Sequence, residues 1–405
     1  MADASTVQTP QDRAPGPARL HDVDGLRAIL MILVCVGHVL LMYAHGPEYF
    51  ITSPDKSSIV TALAALLTVF HMPAFFLLAG FFTVRSLGRK PVADWLAGRA
   101  RRLLIPMLTG IVLVSPLAIL AATLAVRGPM PGPVANFSPD YVTSLLVFDS
   151  RWLGHLWFLP CLFVLSAMTA GLAAMRLLTP IAAGAAGVIS RIPPAPGWLG
   201  VVALGAVWTT GVIASVRVLA GQGVPVSLLA GAIDLRNIAV YALPFALGVV
   251  MALHPVAMSR LTQVSIGRVA VSAALGVALV MLWTASDTKG LIAKTLVEGA
   301  LSLSATFLAL SAARALLVRP SQVLSELSAL SMSIYIVHYP IAALLGVAFQ
   351  PVNWPAELET LLIACGMLGM SVGLAMAIRR IGLLDELFNG TLGAMTRVGG
   401  EAKGR

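Results

Sequence analysis

The sequence predicts an all-α, polytopic transmembrane bundle of about ten spans with both termini cytoplasmic. Hydrophobic residues make up 58% of the 405-residue chain and charged residues only 11%, where a soluble domain is about a quarter charged. Apolar runs that reach the roughly 20 residues needed to cross a bilayer recur along the chain. When alternate loops are assigned to alternate faces, nineteen Lys and Arg fall on one side and seven on the other, with Arg27 at a boundary. By the positive-inside rule the richer side is cytoplasmic. Segments of dyad alternation do not recur, so a membrane β-barrel is disfavoured and the backbone must be satisfied inside helices. The net charge of +9 is then topology signal and anionic-lipid contact, not nucleic-acid affinity.

Residues 1–21, with Pro10, Pro15 and Pro17, lack the apolar centre and cleavage site of a signal peptide and read as a disordered cytoplasmic tail. One transmembrane domain is expected over 22–380. Its spans lie near 26–45, 58–84, 103–126, 155–178, 198–217, 237–254, 269–286, 291–313, 325–347 and 359–378. The second contains Pro73, which removes an amide donor and favours a kink. Six basic residues between Arg85 and Arg102 fill the loop before the third. The outer loop 127–154, with GPMPGP, reads as an irregular cover, and 218–236 is the other sizeable outer loop. In the eighth span Lys294 and Glu298 are spaced to neutralise one another. Residues 381–405 read as a cytoplasmic tail. Cys35, Cys161 and Cys365 fall in spans without paired spacing and read as packing residues, so no metal site is expected. No internal repeat is evident, and no polar stretch approaches the ~50 residues of a separate domain.

Chemistry concentrates in the first two spans. Arg27 and His38 are eleven residues apart, which at 100° per residue brings the helix back to within about 20° of its starting face after a rise of about 16 Å. A cation at the membrane rim thus shares a stripe with a titratable group near the middle of a ~30 Å core. Such intramembrane groups mark functional sites by default. His71, on the next and antiparallel span, reaches a similar depth. A neutral imidazole keeps one ring nitrogen free to accept a proton, as a general base requires.

Arg99 and Arg102, at i and i+3 on one helix face, reach the same cytoplasmic surface as Arg27, where forked donors suit a phosphorylated ligand. Asp24 opens the first helix as an N-cap or orienting residue, too far from His38 to touch it. His155 and Trp157, in GHLWFLP, read as interface anchors, and Trp157 is also a candidate on the acceptor side. His338 and Tyr335, in MSIYIVHYP, are candidates for lining an entrance from the outer face.

These stretches resemble membrane acyltransferase family 3, which includes the O-antigen and peptidoglycan acetyltransferases and the glucan biosynthesis protein C type. The matching segments are DVDGLRAILMILVCVGH, HMPAFFLLAGFF with RARRLLIP, HLWFLP, LPFALGVVM and SMSIYIVHYPI, in order from about 22 to 347. The resemblance implies a multi-pass protein of the bacterial inner membrane with no permanently bound cofactor. It implies cytoplasmic acyl-CoA as co-substrate and an extracytoplasmic saccharide or other hydroxyl compound as acceptor. Arg27 and His38 match the family's active-site signature, and Arg99 and Arg102 its basic pair. The short outer loops look closer to the glucan-succinylating branch than to forms with an added hydrolase-like domain. His38 is expected to take the acceptor proton, with His71 binding the oxyanion or orienting His38, and a transient acyl-histidine is the variant. A proton-coupled transporter of an anionic small molecule is the alternative, although such proteins usually carry mid-membrane carboxylates and paired helix breaks.

Overall fold

The computed structural model describes residues 21–46, 49, 51–127, 140–147, 149–191, 193–229 and 231–391, and these are mostly helical. Helix α1 spans His21–Tyr43, α2 Ser58–Leu87 and α3 Val92–Thr109, which continues through a π-helical turn, Gly110–Val114, into α4, Ser115–Arg127. Two short helices, α5 (Tyr141–Leu146) and α6 (Ser150–Leu153), and a 3-10 turn at Gly154–Trp157 lead into α7, Phe158–Ala174. Then come α8 (Leu178–Arg191), α9 (Pro194–Gly221), a two-residue hairpin pairing Ser227–Leu228 with Ile233–Asp234, and α10 (Leu235–Leu253). The chain goes on through α11 (Pro255–Leu261), α12 (Ile266–Leu282), α13 (Thr288–Leu316), α14 (Gln322–Phe349), α15 (Ala356–Arg380) and α16 (Gly382–Asn389).

Among the described residues nine helical segments are long and apolar enough to cross a membrane, and α11 with α12, bent by 66°, makes a tenth. Each of the ten predicted spans falls on one of these. The protein is an all-α, multi-pass membrane bundle. Side chains at the helix starts supply acceptors for otherwise orphaned amides. Ser57 Oγ takes the Ile59 and Val60 amides before α2, and Asp234 takes that of Asn237 before α10. Pro73 lies inside α2 without ending it.

The elements differ from expectation at both ends of the hydropathy scale. Residues 179–191, left between spans, belong to α8, and its Ile181 and Val188 are more than half exposed. Part of the predicted tail 381–405 is ordered as α16, which buries Phe388 and is tied to the bundle twice. The Leu387 carbonyl accepts from Thr109 Oγ1 at 3.0 Å, and Ser333 Oγ lies 3.3 Å from Asn389 Oδ1. Short amphipathic helices have too few apolar residues for hydropathy to separate them from loops. The predicted tail 1–21 lies outside the described residues except for His21, as do 392–405 and, within the outer loop 127–154, residues 128–139 and 148. Cys35 and Cys161 are buried as packing residues, whereas Cys365 is exposed on α15.

The bundle's outward surface is apolar, as lipid contact requires, with Met281 78% and Val207 66% exposed. Inside, helices approach through small residues, because lipid offers no hydrophobic drive to press larger ones together. The tightest crossing joins α2 and α10. A Cβ on Gly80 would lie 2.0 Å from the Phe245 carbonyl oxygen, and one on Gly248 1.9 Å from that of Leu77. This crossing holds two of the resembling segments, HMPAFFLLAGFF and LPFALGVVM, backbone to backbone.

The bend between α11 and α12 exposes helix-end carbonyls, which need partners. Arg268, 5% exposed, supplies them: its guanidinium donates to the carbonyls of Arg260, Leu261 and Gln263 at the bend and of Pro194 at the start of α9, at 2.6–3.1 Å, and stacks over Trp198. Lys294 lies 4.0 Å from Glu298, as its spacing suggested, and also donates to the Trp283 carbonyl at 2.9 Å.

Candidate active site

Helix α14 runs beside the Arg27–His38 stripe of α1 in the same direction. At one end Arg27 Nη2 donates to the Ser328 carbonyl at 2.7 Å and to Ser331 Oγ at 3.3 Å. At the other, the rings of His38 and His338 are 5.2 Å apart. Ser328, Ser331, Tyr335 and His338 follow one another at intervals of three or four residues, so they share one face of α14. One face of α14 therefore carries polar side chains from the guanidinium to the imidazole, beside the apolar packing of Met31 and Cys35 on Leu330 and Ile334.

Two further segments close on His38. The 3-10 turn before α7 carries His155 inward: its ring lies 6.4 Å from that of His38 and 5.1 Å from that of His338, and stacks on Tyr339 at 4.5 Å. Gly154, at φ +45°, makes this turn possible, because a side chain there would be strained. His155 and Tyr335 brace each other, with His155 Nε2 donating to the Tyr335 carbonyl at 3.0 Å and Tyr335 Oη donating back to the His155 carbonyl. The connection between α1 and α2 folds back on the bundle through Ser53, whose amide donates to the Met42 carbonyl at 2.9 Å. It places the Tyr49 hydroxyl in hydrogen-bond contact with His38 Nδ1, and Tyr49 also bonds Tyr339.

These partners set the ring tautomers. A carbonyl oxygen only accepts, so a ring nitrogen facing one carries the hydrogen. His338 Nδ1 faces the carbonyls of Tyr335 at 2.7 Å and Ile334 at 3.2 Å, and His71 Nδ1 faces that of Leu67 at 2.8 Å. His155 is fixed through Nε2 in the same way. His38 alone of the four faces a hydroxyl, which donates or accepts, so its tautomer can invert without breaking a backbone bond. It also retains partial exposure, whereas His338, His155 and His71 are 0%, 7% and 7% exposed. Of the four imidazoles, His38 is thus the one that is partly open.

The other anticipated residues sort by position. His71 sits against α1, with its Cε1 4.0 Å from where a Cβ on Gly37 would lie, and it is within electrostatic reach of His38. Trp157 stacks on Tyr241 at 5.4 Å and Phe76 at 6.4 Å, away from the imidazoles. Arg99 is half-buried, its Nε has no hydrogen-bond partner among the described residues, and Arg27 and Arg102 lie within its electrostatic reach. Arg102 is exposed. The three arginines thus share one end of the bundle, where α16 also docks. The side chain of Asp24 lies outside the described residues.

Sequence reasoning missed His155 as a neighbour of His38, together with Tyr49 and Tyr339. The one local hint was the glycine before His155. Among the described residues no group of His, Cys, Asp and Glu has the arrangement to hold a metal ion. A groove of about 640 Å³ between α14 and α15, lined by Leu327, Val372 and Arg379, is remote from His38. A smaller cleft, lined by Met42, Tyr43 and Thr52, lies one turn beyond it.

Comparison with known proteins decides the family. The model of an acyltransferase domain, Acyl_transf_3, matches residues 20–380, which takes in α1 to α15 and every group just described. The chain belongs to membrane acyltransferase family 3. Family membership covers the Arg27–His38 stripe, the Arg99–Arg102 pair and the α14 face alike, and leaves α16 outside the matched segment. Relatives include the glucans biosynthesis protein C of Salmonella paratyphi B, Salmonella heidelberg and Salmonella agona, each 28% identical over 158 residues. That alignment covers 39% of this chain, and the chain spans only 40% of each of these relatives. No solved structure matches the chain.

Proposed function

We propose that this protein is an integral membrane O-acyltransferase, moving an acyl group of the acetyl or succinyl type from cytoplasmic acyl-CoA to a hydroxyl of an extracytoplasmic glycan. The observation that carries the reading is the polar face of α14, which joins Arg27 to His38 along the α1–α14 seam. The uneven sorting of Lys and Arg supports a cytoplasmic position for the Arg27 end, and so for both termini, in a bacterial inner membrane. Arg27, Arg99 and Arg102 offer forked and charge-assisted donors to the donor's phosphates. An extended pantetheine arm fits along a seam of about 16 Å, which brings the thioester to His38. The relatives' name favours a glucan as acceptor.

In this reading the His38 lone pair takes the proton of the acceptor hydroxyl as its oxygen attacks the thioester carbonyl carbon. The carbon–oxygen bond forms, the carbon–sulfur bond breaks, and the thiolate recovers the proton from His38 to leave as free coenzyme A. His38→Ala should leave the protein folded in detergent and lower transfer from radiolabelled acyl-CoA to envelope glycans by about 10²-fold or more. Unchanged labelling would remove His38 from the chemistry.

A further inference from the structure

His338 is fully buried, and only one of its ring nitrogens is engaged. Nδ1 carries hydrogen, because its partners, the carbonyls of Ile334 and Tyr335, can only accept. Nε2 of the neutral ring therefore presents a lone pair, and it has no hydrogen-bond partner among the described residues. A buried acceptor left unmet is costly and uncommon. This one lies in a ring that touches those of His38 and His155, beside the place where the acceptor hydroxyl reacts. It asks for an O–H or N–H donor from whatever fills the site.

The reacting hydroxyl is not that donor, since its single proton goes to His38. A neighbouring hydroxyl on the same molecule would supply it. In a saccharide the two oxygens sit on adjacent ring carbons, close enough for each to address one of two imidazoles whose centres are 5.2 Å apart. The rings of Tyr49, Tyr335 and Tyr339 lie against these imidazoles, and such aromatic faces with placed polar groups suit a ligand whose orientation must be fixed. We propose that His338 Nε2 accepts a hydrogen bond from the hydroxyl next to the one acylated, so that the site selects a vicinal diol of a sugar over an isolated alcohol. His338 is then a specificity-determining residue, and the assignment rests on the acyltransferase reading above.

The test uses the full-length protein in detergent, with radiolabelled acetyl-CoA and succinyl-CoA as donors and methyl β-glucoside and its monodeoxy derivatives as acceptors. His338→Asn keeps an N–H towards the two backbone carbonyls and deletes the Nε2 position. His338→Gln brings an amide oxygen towards it. In the wild type, removal of the neighbouring hydroxyl should raise the acceptor KM about tenfold or more. His338→Asn should raise the KM of the parent glucoside to that of the deoxy sugar and leave the deoxy value unchanged. It should retain thermal protection by acyl-CoA, and His338→Gln should recover part of the loss. A parent KM in His338→Asn equal to the wild-type value would overturn the proposal, as a water-filled site would give. So would equal losses on parent and deoxy acceptors. If the wild type is neither protected by acyl-CoA nor labels any glucoside, the acyltransferase reading itself falls and takes this assignment with it.

Discussion

His38 differs from His71, His155 and His338 in what its engaged ring nitrogen touches, a hydroxyl where theirs face carbonyls, and that difference is chemical. For Nε2 to receive a proton, Nδ1 must carry the hydrogen and donate it to the Tyr49 hydroxyl, whose own hydrogen can then pass to Tyr339. Tyr49→Phe removes the oxygen but keeps a ring beside the imidazole. It should lower kcat about tenfold, the value of one hydrogen bond near the upper end of its range, move the pH–rate profile, and leave protection by acyl-CoA unchanged. A wild-type pH profile would deny Tyr49 this positioning role. The Arg27–His38 relation was legible in the sequence because helix period alone fixes which residues share a face. Tyr49, His155 and Tyr339 were not, because their contacts join separate segments and no local period encodes them. Lys56, in the same connection as Tyr49, donates to the Met42 carbonyl at 3.1 Å. Burial pushes its amine down from an ordinary 10.5 to about 8. Between those values the unfolded chain binds the proton more than the folded one, so stability should rise as pH climbs from about 8 towards 10.5. Lys56 should accordingly react with an amine label with a midpoint near pH 8, and a midpoint at the ordinary lysine value would show its surroundings to be wetter.

At the level of elements, hydropathy located the ten spans because each must present an unbroken apolar length to lipid. It was silent on α8 and α16, which need no such length. Hydropathy was also silent on how the spans pack, which depends on small residues at a few crossings. Gly80 and Gly248 show this most sharply. Gly80→Ala places a methyl group where the Phe245 carbonyl oxygen lies, so α2 and α10 must move apart. The loss should be about 1–3 kcal/mol, read as a lower thermal midpoint in detergent. Gly369, on the exposed face of α15, has nothing within 4 Å of the place a methyl group would take. Gly369→Ala should be neutral or stabilising by about 0.5–1 kcal/mol, since alanine favours helix over glycine. Equal effects at the two positions would mean that the α2–α10 crossing is looser than its backbone spacing implies.

Across the whole molecule, charge and polarity are arranged along one axis. Arginines gather at the Arg27 end, the α1–α14 seam carries serines and a tyrosine through the apolar interior, and the imidazoles gather at the far end. In the proposed reading this arrangement separates the donor's anchor from its reacting carbon. Arg27 is about 16 Å from His38, so any contact it makes with phosphates is the same in the ground and transition states. Interactions of that uniform kind lower KM without raising kcat. Arg27→Ala should therefore weaken acyl-CoA binding by about 10- to 100-fold, the range of a charged hydrogen bond, while kcat at saturating donor stays within about threefold of wild type. The same residue also braces α14 through Ser328 and Ser331, and a purely structural role predicts otherwise: a lower thermal midpoint without ligand, and a kcat that falls because His338 shifts away from His38. Arg27→Lys separates the two, since it keeps the charge but loses the planar fork. It should recover part of the donor affinity in titrations with acyl-CoA. In sealed vesicles of known orientation, acyl-CoA should support labelling only when supplied to the arginine-rich face. Labelling from the opposite face alone would reverse the axis and detach Arg27 from the donor.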